Sequence, residues 1–407
     1  MIDFKTAKNI ILEQTPLLNS KTISIKNLNG RVLAENIRAS FSMPRFDNSA
    51  MDGFAVRSKD TLGAKKNSPV TLKLVGSVAA GDSGNISIGR GECAHCMTGA
   101  PIPNGADSVV MVENTNGYDN KNKVKIFVES LPLKHIRKKG EEIESNELLI
   151  KKRSKVSPSE IGIIATYGIK EARVFRKARV SLFATGNELV SPGKSIGLGQ
   201  IYNSNSFVFS ELALRAGAKI VTDEIIKDRP DSLREFLSNA LKNSDAVVTS
   251  GGVSMGKHDH VRNIFMELGV KEHFWKVAQK PGKPIFFGSK GQTLIFGLPG
   301  NPVSSFIGFM EFVWPSLEKM MGNSLGKKIL GVLDKPFPRE INKSRFLFGK
   351  AWLSGGKVLC APSLKVGSHM LSSSLNSNCI LYSDPGPYDL QPGDLVKARV
   401  LPWKLIQ

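Results

Sequence analysis

The feature that most constrains this chain is a rhythm between residues 178 and 322. The strand-like run Val180-Ser181-Leu182-Phe183-Ala184 leads through a loop to a helical segment near 204–216. The theme repeats with a strand over 219–226, a helix from Asp231, a strand over 245–249, a helix over about 259–268, a strand over 293–296 and a helix reaching Met321. Short apolar runs alternating with helices read as βαβ units in a parallel sheet. Loops that leave the carboxyl ends of such strands share one edge, where ligands bind. Here those loops are 185–188, 228–230, 250–256 and 298–302, all rich in Gly, Ser, Thr, Asn and Asp. Such residues let backbone N–H groups approach an anion closely. Asn301 and Pro302 are suited to the cap and first position of a helix whose free N–H groups face the same crevice. One such loop is ordinary capping, whereas four in one segment describe a binding edge.

The flanks have another texture. Residues 3–14 place Phe4, Ala7, Ile10 and Ile11 at helical spacing behind Asp3, which predicts a capped amphipathic helix. Between about 45 and 140, short runs at 70–75, 108–112 and 123–128 alternate with turn residues, the pattern of a small all-β insert. Residues 325–407 return to short strands with Gly/Pro turns and predict a compact β domain. At 407 residues the chain exceeds what one core supports, and its 41% hydrophobic content excludes general disorder.

The charge balance is unusual: 56 Lys+Arg against 36 Asp+Glu give a formal +20. A surplus of that size points to an anionic partner, whether nucleic acid, an acidic membrane or a phosphorylated small molecule. It is uneven, with ten basic and three acidic residues in 151–200 while 101–150 and 201–250 are balanced. No RNP-type aromatic pattern, zinc finger or basic helix is present to read nucleic acid, and no apolar run is long enough to span a membrane. The four cysteines make no disulfide framework, and the start of the chain has no secretory h-region, so a cytoplasmic protein with reduced thiols is expected. Cys93-Ala94-His95-Cys96 has no second pair to complete a zinc set, so small buried side chains are expected there.

Three lysines form a second constellation. Lys276 follows Trp275, and Lys280 and Lys283 sit in Lys280-Pro281-Gly282-Lys283-Pro284, where two prolines stiffen the loop that would carry the cations to phosphate or oxyanion. Glu188, Asp228 and Asp259 lie in the candidate edge loops; carboxylates beside anion-binding backbone suggest Mg²⁺ shared with substrate phosphates.

Together these motifs resemble the molybdopterin molybdenumtransferases, the family of MoeA and of the E domain of gephyrin. The match runs nearly end to end. It includes Ser49-Ala50-Met51-Asp52-Gly53-Phe54, Met97-Thr98-Gly99-Ala100-Pro101 and Arg137-Lys138-Lys139-Gly140-Glu141-Glu142. It continues through Thr185-Gly186-Asn187-Glu188, Gly199-Gln200-Ile201-Tyr202-Asn203-Ser204-Asn205 and Ser250-Gly251-Gly252-Val253-Ser254-Met255-Gly256. The proline-lysine loop, Leu298-Pro299-Gly300-Asn301-Pro302 and Gly367-Ser368-His369 complete it.

The resemblance implies a MoeA-like, multidomain α/β and β fold. Its parts would be a discontinuous linking domain (1–44 and 140–177), a β-rich insert (45–139), a doubly wound α/β molybdopterin-binding domain (178–324) and a C-terminal β-barrel (325–407). The implied activity transfers molybdenum from molybdate into adenylylated molybdopterin, with Mg²⁺, releasing AMP. A homodimer and a molybdopterin adenylyltransferase partner are implied as well. The catalytic weight would fall on Asp52, Glu188, Asp228, Asp259, Lys276 and Lys280. Substrate binding would fall on Thr98, Thr185, Gly186, Ser250, Gly251, Gly252, Lys283, Pro299, Gly300, Asn301, Pro302 and Ser368, and metal binding on Glu142, Glu188, Asp228 and Asp259. The chain departs from the family pattern at Glu142, usually Asp, at His95-Cys96, at His260, usually Tyr, and at Phe348, usually Arg. The rival readings are the adenylyltransferase itself, on a similar α/β fold, and a basic nucleic-acid-binding or scaffold protein.

Overall fold

A computed structural model of the chain describes residues 1–118, 122–227, 229–252, 260–326 and 328–406. It divides into two compact units. One comprises Met1–Glu35, Lys152–Ile161 and Glu171–Gln407; the other comprises Asn36–Lys151 and Gly162–Lys170.

The larger unit is built on a six-stranded sheet. Its strands are β1 (Arg179–Thr185), β2 (Lys219–Ile226), β3 (Ala246–Ser250), β4 (Lys271–Trp275), β5 (Phe286–Lys290) and β6 (Thr293–Leu298), in the order β2-β1-β3-β6-β5-β4. The first four in that order run parallel, and β5 and β4 join antiparallel at one edge. The sequence does not announce that antiparallel edge, showing only a lysine loop over 275–284. Helices α1 (Asn205–Arg215), α2 (Pro230–Asn243), α3 (His260–Glu267) and α4 (Pro302–Gly308) complete the α/β body.

Strand alternation explains why both sheet faces need covering. Leu182, Val248 and Phe296 face one core with α1 and α4, while Phe183, Val247 and Ile295 face another with α2 and α3. Strands buried on both faces read as unbroken apolar runs, as these do. Beyond α4 the helix is interrupted by a π-helical stretch, Phe309–Val313, before resuming over Trp314–Met320. All five π-helical residues are buried.

The C-terminal strands close into a barrel. Ser344–Ser354 pairs with both Lys357–Pro362 and Cys379–Ser383, and Ile329–Leu333 and Leu395–Val400 complete the ring. Val277–Lys280 adds to the barrel edge beside Ser344–Ser354, and the N-terminal Ile2–Asp3 adds outside it. The N-terminal helix, Phe4–Gln14, starts where expected because the Asp3 carboxylate accepts from the N–H groups of Lys5 and Thr6. Alternation along Ser344–Ser354 sends Phe346 and Phe348 into the α/β core and Leu347 and Ala351 into the barrel's own core. Phe348 is 2% exposed and meets Phe306 edge-on at 5.1 Å between centroids, so the family's basic position is a packing position here.

The smaller unit holds a five-stranded sheet in the order Ser108–Met111, Gly53–Val56, Glu92–Cys96, Val70–Val78, Lys123–Ile126. Gly53 is required by close approach, since a Cβ there would lie 2.0 Å from the carbonyl oxygen of Val110. Cys93 and Cys96 are buried in different clusters, and burial pushes their thiols up to about 12 and about 11. Three residues apart on one strand they face opposite ways, so they share no metal.

Candidate functional site

The carboxyl ends of β1, β3 and β6 open onto a cavity of about 560 Å³. Nine of the residues proposed from sequence line it: Thr185, Glu188, Ser250, Gly251, Gly252, Pro299, Gly300, Asn301 and Pro302. Gly186 lies between the first two, and a Cβ on it would fall 2.6 and 2.7 Å from the Glu188 carboxylate oxygens. Any side chain at 186 therefore displaces that carboxylate. Gly252 is equally constrained, at φ +70°, because a Cβ there would meet methyls of Val261 and Thr185 at 2.4 and 2.8 Å.

Asn205, the first residue of α1, ties the edge together. Its Nδ2 donates to Ser250 Oγ at 2.6 Å and to the Gly300 carbonyl at 2.8 Å. Gly251 N–H donates to the Leu298 carbonyl at 3.0 Å, joining the β3 and β6 loops directly. Sequence reasoning missed Asn205 as a site residue although it ends the 199–205 motif; an Asn opening a helix at a ligand edge is the available signal. Thr185 Oγ1 is buried without a hydrogen-bond partner among the described residues. Thr185 lines the cavity, and leaving its buried hydroxyl unpaired costs about 1–3 kcal/mol.

Asn301 takes the cap position as predicted, with Pro302 following, but its side chain does not cap the helix. Its Nδ2 donates instead to Ser368 Oγ at 3.2 Å, and Val303 N–H donates to the Ser368 carbonyl at 3.0 Å. The first-turn donor is thus taken by Ser368 rather than pointed free into the crevice. The same contact brings His369 onto the cavity wall.

The lysines lie elsewhere. Lys276, at φ +80°, lays its ammonium over the Trp275 ring at 3.9 Å, and Lys283 is exposed with its carbonyl accepting from Val277 N–H at 2.9 Å. Lys280 pairs with Glu340 at 2.5 Å, and that hydrogen bond holds the Glu340 carboxyl below its ordinary value. In register with Lys280 on the neighbouring strand is Arg345, and opposite Arg345 is Ser383. Arg345 is 5% exposed, its Nε has no partner among the described residues, and the buried Ser383 hydroxyl has none either. Burial pushes the Arg345 pKa down, with Glu340 opposing. The Lys280–Glu340 pair thus lies in strand register with a buried guanidinium and a buried hydroxyl, each with one atom left unpaired among the described residues.

Asp228 and Asp259, and the 253–256 part of the glycine loop, lie outside the described residues. Among the described residues no three His, Cys, Asp or Glu side chains gather closely enough to hold a metal, and Glu188 is the carboxylate on the cavity wall. That donor set does not make an all-protein cage, and it suits Mg²⁺, which takes one or two carboxylates together with substrate phosphates.

In the smaller unit, Asp52 accepts from Thr98 N–H at 2.8 Å, which holds its carboxyl below the ordinary range. Asp52 borders a cavity of about 770 Å³ together with Phe54, Leu74, His95, Met97 and Tyr118. Glu142 is exposed, its N–H bonded to the Met43 carbonyl at 3.1 Å.

Fold and cleft together define an α/β protein with a ligand-sized cleft at the carboxyl edge of a largely parallel sheet, and a β-barrel in the same unit. Residues 2–168 match the MoeA N-terminal region (domains I and II), and residues 181–319 match a probable molybdopterin binding domain. A molybdopterin molybdenumtransferase of Nostoc is 34% identical over 333 residues, covering 80% of this chain and 76% of the relative. One of Staphylococcus aureus is 32% identical over 398 residues, covering 97% and 94%. A molybdopterin biosynthesis MoeA protein from Pyrococcus horikoshii has a structure that superposes with a TM-score of 0.85 at 30% identity, covering 98% of this chain and 99% of that one. The chain belongs to the molybdopterin molybdenumtransferase (MoeA) family.

Proposed function

We propose that this chain transfers molybdenum from molybdate to adenylylated molybdopterin held in the α/β cleft, forming molybdenum cofactor and releasing AMP. The observation that carries the reading is the cleft itself, walled by three backbone-rich loops, two of them locked together by Asn205, with the unpaired Thr185 hydroxyl beside them. Loops 185–188, 250–252 and 298–302 hold pterin and phosphates, with Ser368 bracing the last of them. Mg²⁺, when bound by Glu188 with Asp228 and Asp259, supplies charge neutralisation at the phosphates.

Molybdate is a dianion arriving beside an anionic pterin, so preorganised cations lower the barrier. Arg345, Ser383 and Lys280 form its receiving cluster, with Lys276 and Lys283 adding positive charge along the connecting segment. Asp52, Thr98 and Glu142 of the smaller unit belong to the reaction through a homodimer. The four-part domain division, a cytoplasmic location and a partner adenylyltransferase that supplies the adenylylated pterin are part of the same reading. No helix among the described residues is long and apolar enough to cross a membrane.

The test is AMP release from adenylylated molybdopterin with Mg²⁺, with and without molybdate. Release that depends on molybdate, and that falls about 100-fold or more in Glu188→Gln, is expected. Transfer of AMP from ATP to molybdopterin in the absence of molybdate would instead identify the adenylyltransferase.

A further inference from the structure

The basic excess of residues 151–200 is not spent on the cleft. Arg176 and Arg179 are neutralised by Asp245, at 2.6 and 3.6 Å, and Arg173 donates to Ser20 Oγ. Lys155 and Lys177 are exposed, and their ammonium groups have no hydrogen-bond or ion-pair partner among the described residues. They meet Arg31 and Arg215 around a cavity of about 230 Å³, and no Asp or Glu lines it among the described residues.

Each neighbour bears on what such a cavity can hold. Arg31 Nη2 donates to the Phe175 carbonyl at 2.7 Å, which fixes the guanidinium and leaves its other donors without a partner among the described residues. Burial pushes the Arg31 pKa down with no carboxylate opposing it. Arg215 lies over the Trp403 ring at 5.7 Å and has one acid, Glu211 at 3.6 Å, but the pair's side chains are largely exposed, so the ion pair is weak and the charge is not cancelled. The C-terminus of α1 presents a partial negative charge here, about half a unit, which four full positive charges outweigh. Asn29 and Asn323 add side-chain amides to the wall.

We propose that this cavity is a second anion site, formed by Arg31, Lys155, Lys177 and Arg215, for a compact phosphate-type ligand of one or two phosphate groups. Its volume lies below the ~300–1,000 Å³ usual for drug-sized ligands, which favours a compact ligand. The site is distinct from the cleft. Asn205, at the start of α1, lines the cleft, while residues 214–217 at its other end line this cavity; eleven helical residues separate them by about 16 Å. Inorganic diphosphate and the phosphate of a nucleotide share the chemistry; size favours the former, and the two arms of the experiment separate them.

The experiment is calorimetric titration of the full chain at low salt with sodium diphosphate and, separately, with AMP. The variants are Lys155→Glu/Lys177→Glu and, as a charge-matched control, Lys65→Glu/Lys66→Glu in the smaller unit. Wild type and control are expected to bind diphosphate alike, with the Lys155/Lys177 variant about tenfold weaker or more, and AMP binding equal in all three. The proposal is overturned if wild type shows no saturable diphosphate binding, if the Lys155/Lys177 variant matches wild type, or if the control weakens equally. It is also overturned if AMP binding falls as far as diphosphate binding does. No pterin or molybdate enters this measurement, so its failure is separate from any failure of the insertase reading.

Discussion

Two buried charges in the larger unit make an instructive pair. Glu311, on the π-helical stretch, is 0% exposed, and its carboxylate meets Arg399 Nε at 2.7 Å, Lys328 Nζ at 3.0 Å and Lys8 Nζ at 3.4 Å. Arg345, on the barrel strand, is nearly as buried and has an unpartnered Nε. Every oxygen of the first is occupied by cations from the N-terminal helix, the barrel and the segment before it, so it fastens those elements to one another. The second keeps its bonding capacity open. A saturated buried charge serves the fold, whereas an unsaturated one carries a cost that something else must offset, the part proposed for molybdate at Arg345.

Three experiments break or sharpen that contrast. Glu311→Ala leaves three cations facing one another without a counter-charge, and urea denaturation is expected to show a loss of about 3–5 kcal/mol. Arg345→Met is expected to leave the denaturation midpoint unchanged or slightly raised while slowing molybdate-dependent AMP release about 100-fold. A large stability loss with normal turnover would reverse the assignment of the two residues. The smallest effect is the pH profile of stability. Burial pushes the Glu311 carboxyl up, but Arg399, Lys328 and Lys8 outweigh it and hold it at about 2, below its ordinary 4.5. The unfolded chain then binds more protons between those values, so Glu311's contribution is complete above about pH 4.5 and is lost as pH falls toward 2. Burial lowers Lys328 to about 8, so its contribution to stability rises with pH from about 8 toward 10.5. In Glu311→Ala the acid limb should flatten, which denaturation midpoints measured across pH would register.

Local signals were the legible ones. Asp3 caps its helix because the donors it serves are two and three residues away. Lys219–Ile226 appears with the predicted bounds because alternating strands and amphipathic helices leave a periodic trace. The predicted long helix ending at Met321 is interrupted at Phe309–Val313, since an apolar run buried on every side carries no period that separates α from π geometry. The antiparallel β4–β5 edge was hidden for a related reason: its pairing joins residues across the lysine loop, and no local pattern announces the partner.

The cleft divides in the same way. Composition alone marked the loops at 185–188, 250–252 and 298–302, because glycine, serine and asparagine are what a backbone needs to approach an anion. Only the tertiary structure showed that Asn205 bolts two of them together and that Asn301 turns its side chain to Ser368 rather than to its own helix. A side chain with two competing partners is settled by which lies nearer once the chain has folded. Arg345 makes the point most sharply. In the sequence it is one of 56 basic residues; its burial and its open Nε exist only where strands from distant parts of the chain pair around it. Family, the alternation of elements and the small-residue edge are all written in local spacing and are legible residue by residue. Which charges are neutralised and which are left open was decided by tertiary structure, because charge pairing depends on distances of a few ångströms between residues hundreds of positions apart.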